Sequence, residues 1–231
     1  MIKKAMILAA GFGKRVNPLT LKLPKPLLKV GNETLLSNTI KFLEASGIEE
    51  IVINVHYLAD QIIEYVNEKK FNLTIHIVKE KEKILDTGGG IFNAINYFKN
   101  EPFLVINPDT IWSPFYTKEI KKMEEFFFQS SKSECLLLVV NKKRSFDKNF
   151  EGDFDLKGNL ISRNSKKLNY VYIGAQIVNP VVFLYNKDKI FSINNIWDKL
   201  IVKNKLFGIE SSLDFFHIST LDIYKKILNI K

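Results

Sequence analysis

Residues 5–15 read AMILAAGFGKR, and residues 18–28 continue as PLTLKLPKPLL. The apolar run Ala5–Ala10 reads as a β-strand buried on both faces. Gly11, Phe12 and Gly13 break it, and two cations, Lys14 and Arg15, follow at once. A glycine pair after a buried strand is either a plain strand-to-loop turn or a phosphate cradle, in which missing side chains let backbone N–H groups approach an anion. It is not the dinucleotide fingerprint, since position 16 is Val and no helical pattern starts there. Nor is it a Walker loop, since Lys14 follows Gly13 directly. Arg15 favours the cradle, because a guanidinium fork suits bidentate phosphate contacts. Pro24 and Pro26 hold an extended segment around Lys25, so its ammonium is presented at a fixed point with reduced ordering entropy. A solvated lysine in a rigid loop fits the same residues.

Outward from this stretch, short β-like runs alternate with helical patterns. Glu50–Val55, Leu73–Val78, Phe103–Asn107 and Glu134–Val140 read as strands, and Leu35–Ser46, Leu58–Lys69, Gly88–Phe98 and Lys118–Phe128 as helices. Such alternation predicts a parallel α/β sheet, whose ligands bind at the carboxyl ends of the strands near the topological switch point. The glycine turn and Asn107-Pro108-Asp109 both fall at such ends. Asp109 there can hold Mg²⁺ beside substrate phosphates, or simply form a turn. Asp86-Thr87-Gly88-Gly89-Gly90 precedes a helix; the glycines cost backbone entropy, which points to close approach of a flat ligand or phosphate, or to a flexible loop. After residue 145 the pattern changes. A hairpin over Asp153–Ile161 turns at Lys157-Gly158-Asn159, Tyr170–Val178 is a strand, and Asn194–Lys203 is a helix. Leu206–Ile209 and Phe215–Ile218 are short strands, and Ser219 or Thr220 caps a final helix with Leu221, Tyr224 and Leu228 facing inward.

The chain has 231 residues, 46% of them hydrophobic, enough to bury one large core. No apolar run reaches the ~18–20 residues of a membrane helix, and Ile7–Ala10 is too short for the core of a signal peptide. Cys135, the single cysteine, lies in an apolar run; it reads as a buried thiol in a cytoplasmic protein and excludes a disulfide framework. The formal charge of +9, from 34 basic and 25 acidic residues, raises nucleic acid as a partner. The lysines are scattered and form no stripe with aromatics, so neither nucleic acid nor membrane is expected; a basic balance also suits small phosphorylated substrates. The sequence carries no obvious dimerisation device.

As a set, Leu8-Ala9-Ala10-Gly11-Phe12-Gly13-Lys14-Arg15, Pro18-Leu19-Thr20 and Pro24-Lys25-Pro26-Leu27 closely resemble the opening of sugar-1-phosphate nucleotidyltransferases. The resemblance continues through Thr87–Gly90, Asn107–Asp109, Tyr172-Ile173-Gly174-Ala175-Gln176 and FSINNIWD at residues 191–198, and so spans nearly the whole chain. The short chain and Asp86–Gly90 look most like N-acetylmuramate-1-phosphate uridylyltransferases; mannose-1-phosphate guanylyltransferases look similar. The resemblance implies a Rossmann-like, three-layer α/β fold of the GT-A type, with a mixed, mostly parallel central sheet. It implies one domain over residues 1–231, with a nucleotide-binding half to about residue 110 and a sugar-phosphate-binding half beyond it. The implied reaction moves a nucleoside monophosphate from UTP to N-acetylmuramate 1-phosphate and releases pyrophosphate. GTP with mannose 1-phosphate, CTP with a phosphorylated alcohol, and a non-catalytic nucleotide-binding homologue are the alternatives.

On the same resemblance Leu8, Ala9, Ala10, Gly11, Gly13, Lys14, Arg15, Thr87 and Gly88 would bind the nucleotide. Lys25, Asn107 and Gly174 would bind the sugar phosphate, and Arg15, Lys25 and Asp109 would be catalytic. Asp109, with His217, would hold Mg²⁺. One departure matters here. Many relatives carry a second metal-binding Asp in an Asp-x-Gly-Thr-Pro context, where this chain reads His217-Ile218-Ser219-Thr220-Leu221. Imidazole suits Mg²⁺ less well than carboxylate. Asp214 is a nearby substitute, and a satisfied core or loop histidine fits His217 equally.

Overall fold

The computed structural model describes residues 1–130, 132–166 and 168–230. Its strands are β1 (Lys4–Leu8), β2 (Lys29–Val30), β3 (Glu33–Thr34), β4 (Glu50–Val55), β5 (Thr74–Lys79), β6 (Phe103–Ile106), β7 (Cys135–Asn141), β8 (Asp155–Lys157), β9 (Leu160–Ser162), β10 (Tyr170–Val178) and β11 (Leu206–Ser211). Its α-helices are α1 (Leu35–Ala45), α2 (Ala59–Glu68), α3 (Asp86–Asn93), α4 (Tyr116–Gln129), α5 (Asn194–Val202) and α6 (Leu221–Leu228). Nine strands form one sheet in the order β5-β4-β1-β6-β10-β7-β11-β9-β8, and β2 and β3 form a small hairpin beside it.

The sheet is mixed but mostly parallel in direction. β5, β4, β1 and β6 run together. β10 runs against both β6 and β7, β7 and β11 run together, and β9 opposes β11 and β8. Only β10 and β9 therefore oppose the rest. The antiparallel β10 between β6 and β7 makes the sheet mixed and mostly parallel, as the family resemblance implied; the strand–helix alternation alone read as parallel.

The uninterrupted apolar strands follow from burial on both sides. Met6, Val52 and Val105 pack on one face with Ile91, Trp197 and Leu200, from α3 and α5. Ala5, Ile7, Ile51, Ile53, Leu104 and Ile106 pack on the other, with side chains of α1, α2 and α4. From β1 the chain steps outward to β4 and β5, then returns to β6 on the other side of β1. The switch point therefore lies between β1 and β6, and their carboxyl ends open side by side.

Three local expectations need correction. The triple glycine lies inside α3 rather than before it, and the helix breaks at Ala94 into a 3₁₀ turn over Ile95–Phe98. Phe215–Ile218 is not a sheet strand: it makes isolated bridges at Ser145↔Phe215 and Thr110↔His217, dividing its hydrogen bonds between two loops. In α6 the cap is Thr220, whose Oγ1 accepts from the Ile223 N–H. The buried face is Ile223, Tyr224 and Ile227, packed on Val16, Leu28 and Leu35, which turns Leu228 out to solvent.

Cys135 is 1% exposed, and burial pushes its thiol well above the ordinary range. The thiol therefore stays protonated at pH 8, and a thiolate is what reacts. Ellman's reagent at pH 8 is expected to find almost no thiol in the folded protein and one equivalent after denaturation. The protonated thiol stabilises the fold below its unfolded pKa, and this contribution falls as the pH rises above that value.

Candidate active site at the switch point

Where β1 ends, the Ala9 N–H donates to Asn54 Oδ1 at 3.0 Å, and the chain turns into the glycine loop. Gly13 sits at φ +64°, and a Cβ there would come within 3.0 Å of Thr20 Cγ2 and 3.1 Å of Lys25 Cβ, so any side chain is strained there. Thr20 Oγ1 donates to Gly13 O at 2.9 Å, and Tyr57 OH donates to Thr20 O at 2.9 Å, which fastens the loop to its neighbours. None of the backbone N–H groups from Gly11 to Arg15 is taken up by a hydrogen bond among the described residues. Lys14 and Arg15 are exposed, and no described carboxylate lies within ion-pairing distance of either. The loop thus presents free donors and two positive charges, the chemistry an oligophosphate requires.

Across the cleft, β6 ends in Asn107-Pro108-Asp109. Asp109 Oδ2 accepts from Lys25 Nζ at 2.5 Å and lies 3.0 Å from His217 Nε2. Burial alone would raise this carboxyl, but the Lys25 ammonium and His217 outweigh it and hold Asp109 ionised, well below the usual carboxylate range. Its other oxygen, Oδ1, is buried with no hydrogen-bond partner. Pro24 is extended as expected, but Lys25 opens a 3₁₀ turn over Lys25–Leu27 instead of lying in an extended segment. That turn carries the ammonium to Asp109. The His217 ring stacks on Phe215 at 5.7 Å, and its Nδ1 is buried without a partner. Asp214 is no substitute for it, since it pairs with Arg144 on the surface.

A cleft of about 410 Å³ separates the two walls. Of the residues expected at the site, Leu8, Ala9, Ala10, Gly11, Gly13, Lys14, Arg15, Lys25, Thr87, Asn107 and Asp109 line it. Asn54, Ile84 and Asp86 line it as well. Asn54 had a signal in the sequence, a lone amide inside the buried run Ile51–Val55. Asp86 holds the unfavourable φ of +60°, and its Oδ1 accepts from the Thr87 N–H at 2.6 Å.

Three expected residues are outside the lining: His217, which reaches Asp109 from behind, and Gly88 and Gly174. Gly88 faces Phe191, whose ring a Cβ would meet at 2.4 Å, so it is a packing glycine outside the lining. Gly174, at φ +92°, lies at the irregular step of β10, where a Cβ would meet Asn107 Cβ at 2.9 Å and Thr110 Oγ1 at 3.1 Å. Its carbonyl accepts from the Asn107 N–H at 2.7 Å, so it shapes the Asp109 loop from beneath.

The sequence profile of the nucleotidyl transferase family matches residues 4–150. N-acetylmuramate alpha-1-phosphate uridylyltransferase of Caulobacter vibrioides is 29% identical over 222 residues, covering 94% of this chain and 91% of that protein. D-glycero-alpha-D-manno-heptose 1-phosphate guanylyltransferase of Aneurinibacillus thermoaerophilus is 26% identical, covering 96% of each chain. Among solved structures, HddC from Yersinia pseudotuberculosis complexed with GMP-PN superposes with a TM-score of 0.74 at 23% identity over 99% of each chain, which shows a shared fold. No helix among the described residues is long and apolar enough to cross a membrane.

Gly174→Ala is expected to cost more than about 1 kcal/mol of stability, because alanine meets both a left-handed backbone and Asn107. Thermal melting of the variant beside the parent protein measures it.

Proposed function

The chain belongs to the nucleotidyl transferase family, and we propose that within it this protein transfers a nucleoside monophosphate from an NTP to a sugar 1-phosphate. UTP and N-acetylmuramate 1-phosphate are the substrates the reading favours, supported by similarity to the Caulobacter enzyme along almost its full length. One observation carries the reaction class: an ionised Asp109 held by Lys25 faces, across one cleft, a loop of uncommitted N–H groups with Lys14 and Arg15.

An oxygen of the sugar phosphate forms a bond to the α-phosphorus, and the bond from that phosphorus to the bridging oxygen breaks. Pyrophosphate leaves with the electron pair. The attacking oxygen is already anionic, so no strong general base is needed; positioning and charge neutralisation suffice. The Gly11–Gly13 backbone and Arg15 hold the triphosphate, Lys25 neutralises charge at the reacting phosphates, and Thr87 lines the nucleotide side. Asn107 contributes on the sugar-phosphate side, with Gly174 acting through it. The nucleotide half, to about residue 110, and the sugar-phosphate half work as one domain.

Asp109 fits a divalent cation such as Mg²⁺, because its Oδ1 is a hard oxygen donor, buried and without a partner. No group of three His, Cys, Asp or Glu among the described residues could hold an ion alone, so phosphates and water would complete its shell. When bound, such an ion neutralises phosphate charge and orients the phosphates. His217 keeps the Asp109 carboxylate in place through Nε2.

GTP with mannose 1-phosphate or a related sugar phosphate is the second reading, favoured by the full-length similarity to the Aneurinibacillus guanylyltransferase. Pyrophosphate release, measured for the four NTPs crossed with these sugar 1-phosphates in Mg²⁺, is expected to be fastest with UTP and N-acetylmuramate 1-phosphate. Faster turnover with GTP selects the second reading, and no turnover with any pair overturns both. Lys25→Ala is expected to lower kcat by roughly 10²–10³-fold in a protein that still folds but melts at a lower temperature, since Asp109 loses its ammonium partner; full activity in that variant removes Lys25 from the mechanism.

A further inference from the structure

We propose that Glu80 is a positioning residue for the nucleotide, tying the Asp86–Thr87 wall of the cleft to its glycine loop without touching the ligand. The inference rests on NTP binding in this cleft and deepens it.

Glu80 follows β5 and is 2% exposed. A carboxylate so placed is costly unless both oxygens are bonded, and here both are. Oε1 accepts from Asn54 Nδ2 at 2.7 Å, and Oε2 accepts from the Leu85 N–H at 2.7 Å. Asn54 Oδ1 in turn accepts from the Ala9 N–H. An unbroken line of hydrogen bonds therefore runs from the start of the glycine loop, across β4, to the residue that precedes Asp86. Ala9, Asn54 and Asp86 line the cleft, and Glu80 does not. The Glu80 backbone is anchored as well: its N–H donates to Val55 O at 2.9 Å, and its carbonyl lies 2.7 Å from His56 Nδ1.

Two further observations support the link. Asp86 sits at φ +60°, a conformation that persists only where its surroundings enforce it, and the bond from Glu80 to Leu85 is the adjacent restraint. Gly90 on α3 leaves the room the link occupies. A Cβ at Gly90 would come within 2.7 Å of Asn54 Nδ2 and 3.0 Å of Glu80 Oε1. The third glycine of the run is thus explained by a polar link behind the cleft.

Glu80→Gln and Gly90→Ala disturb this link in different ways. Glutamine must turn an NH₂ toward one of two donors, Asn54 Nδ2 or the Leu85 N–H. Alanine at position 90 adds a methyl where the link runs. Calorimetric titration with UTP and with GTP, well below the melting temperature, is expected to show both variants binding the preferred NTP at least about tenfold more weakly, equivalent to about 1.4 kcal/mol. The KM for the sugar 1-phosphate at saturating NTP is expected to stay within about twofold, since its subsite is not on this line of bonds. Parental NTP affinity in Glu80→Gln overturns the inference. So does an equal loss for both substrates, which would reflect general loosening. Absence of NTP binding to the parent protein overturns instead the function on which the inference rests.

Discussion

One partly buried carboxylate organises this molecule. Asp109 sits at the carboxyl end of β6, ionised, with one oxygen shared by Lys25 and His217. An ionised group in that place is tolerable only if cations or donors reach it. They come from opposite ends of the chain, 84 residues upstream and 108 residues downstream. The fold must therefore bring three remote segments to one point. It does so at the switch between β1 and β6, where two parallel strands end side by side. The cleft, with its row of unclaimed N–H groups among the described residues, opens there.

Close approach of backbones is the second theme. Gly13 lets the glycine loop lie against Thr20 and Lys25, Gly174 lets β10 meet the Asp109 loop, and Gly90 lets α3 pass over the Asn54–Glu80 link. None of the three is merely a flexible hinge. Each marks a place where a side chain would collide with a part of the site or its support. The site is thus held by contacts from behind as much as by the residues that face the ligand. That arrangement suits a reaction in which positioning and charge neutralisation supply most of the rate.

Much of this was legible in the sequence because the signals are local. Buried strands, helical spacing and the Gly11–Arg15 loop each fit within a window of about ten residues. The pairing of Pro24 and Pro26 around Lys25 was legible for the same reason. What stayed hidden depends on neighbours remote in the chain. The antiparallel place of β10 is set by pairing with strands 29 or more residues away. Gly88 and Gly174 carry no local mark that separates a ligand contact from a packing contact; only Phe191 and Asn107 make the difference. Glu80 reads as one more charge in a run of Lys and Glu until Asn54 and Leu85 close on it. His217 was singled out as a departure from related sequences, and its geometry turns it toward Asp109 through Nε2.

The central claim is that Lys25 and Asp109 act as one unit on the reacting phosphates. A double-mutant cycle on kcat/KM, with Lys25→Ala, Asp109→Asn and the pair, tests it most directly. The account predicts strong non-additivity, the double variant being little slower than the slower single variant. Two losses that simply multiply would contradict it.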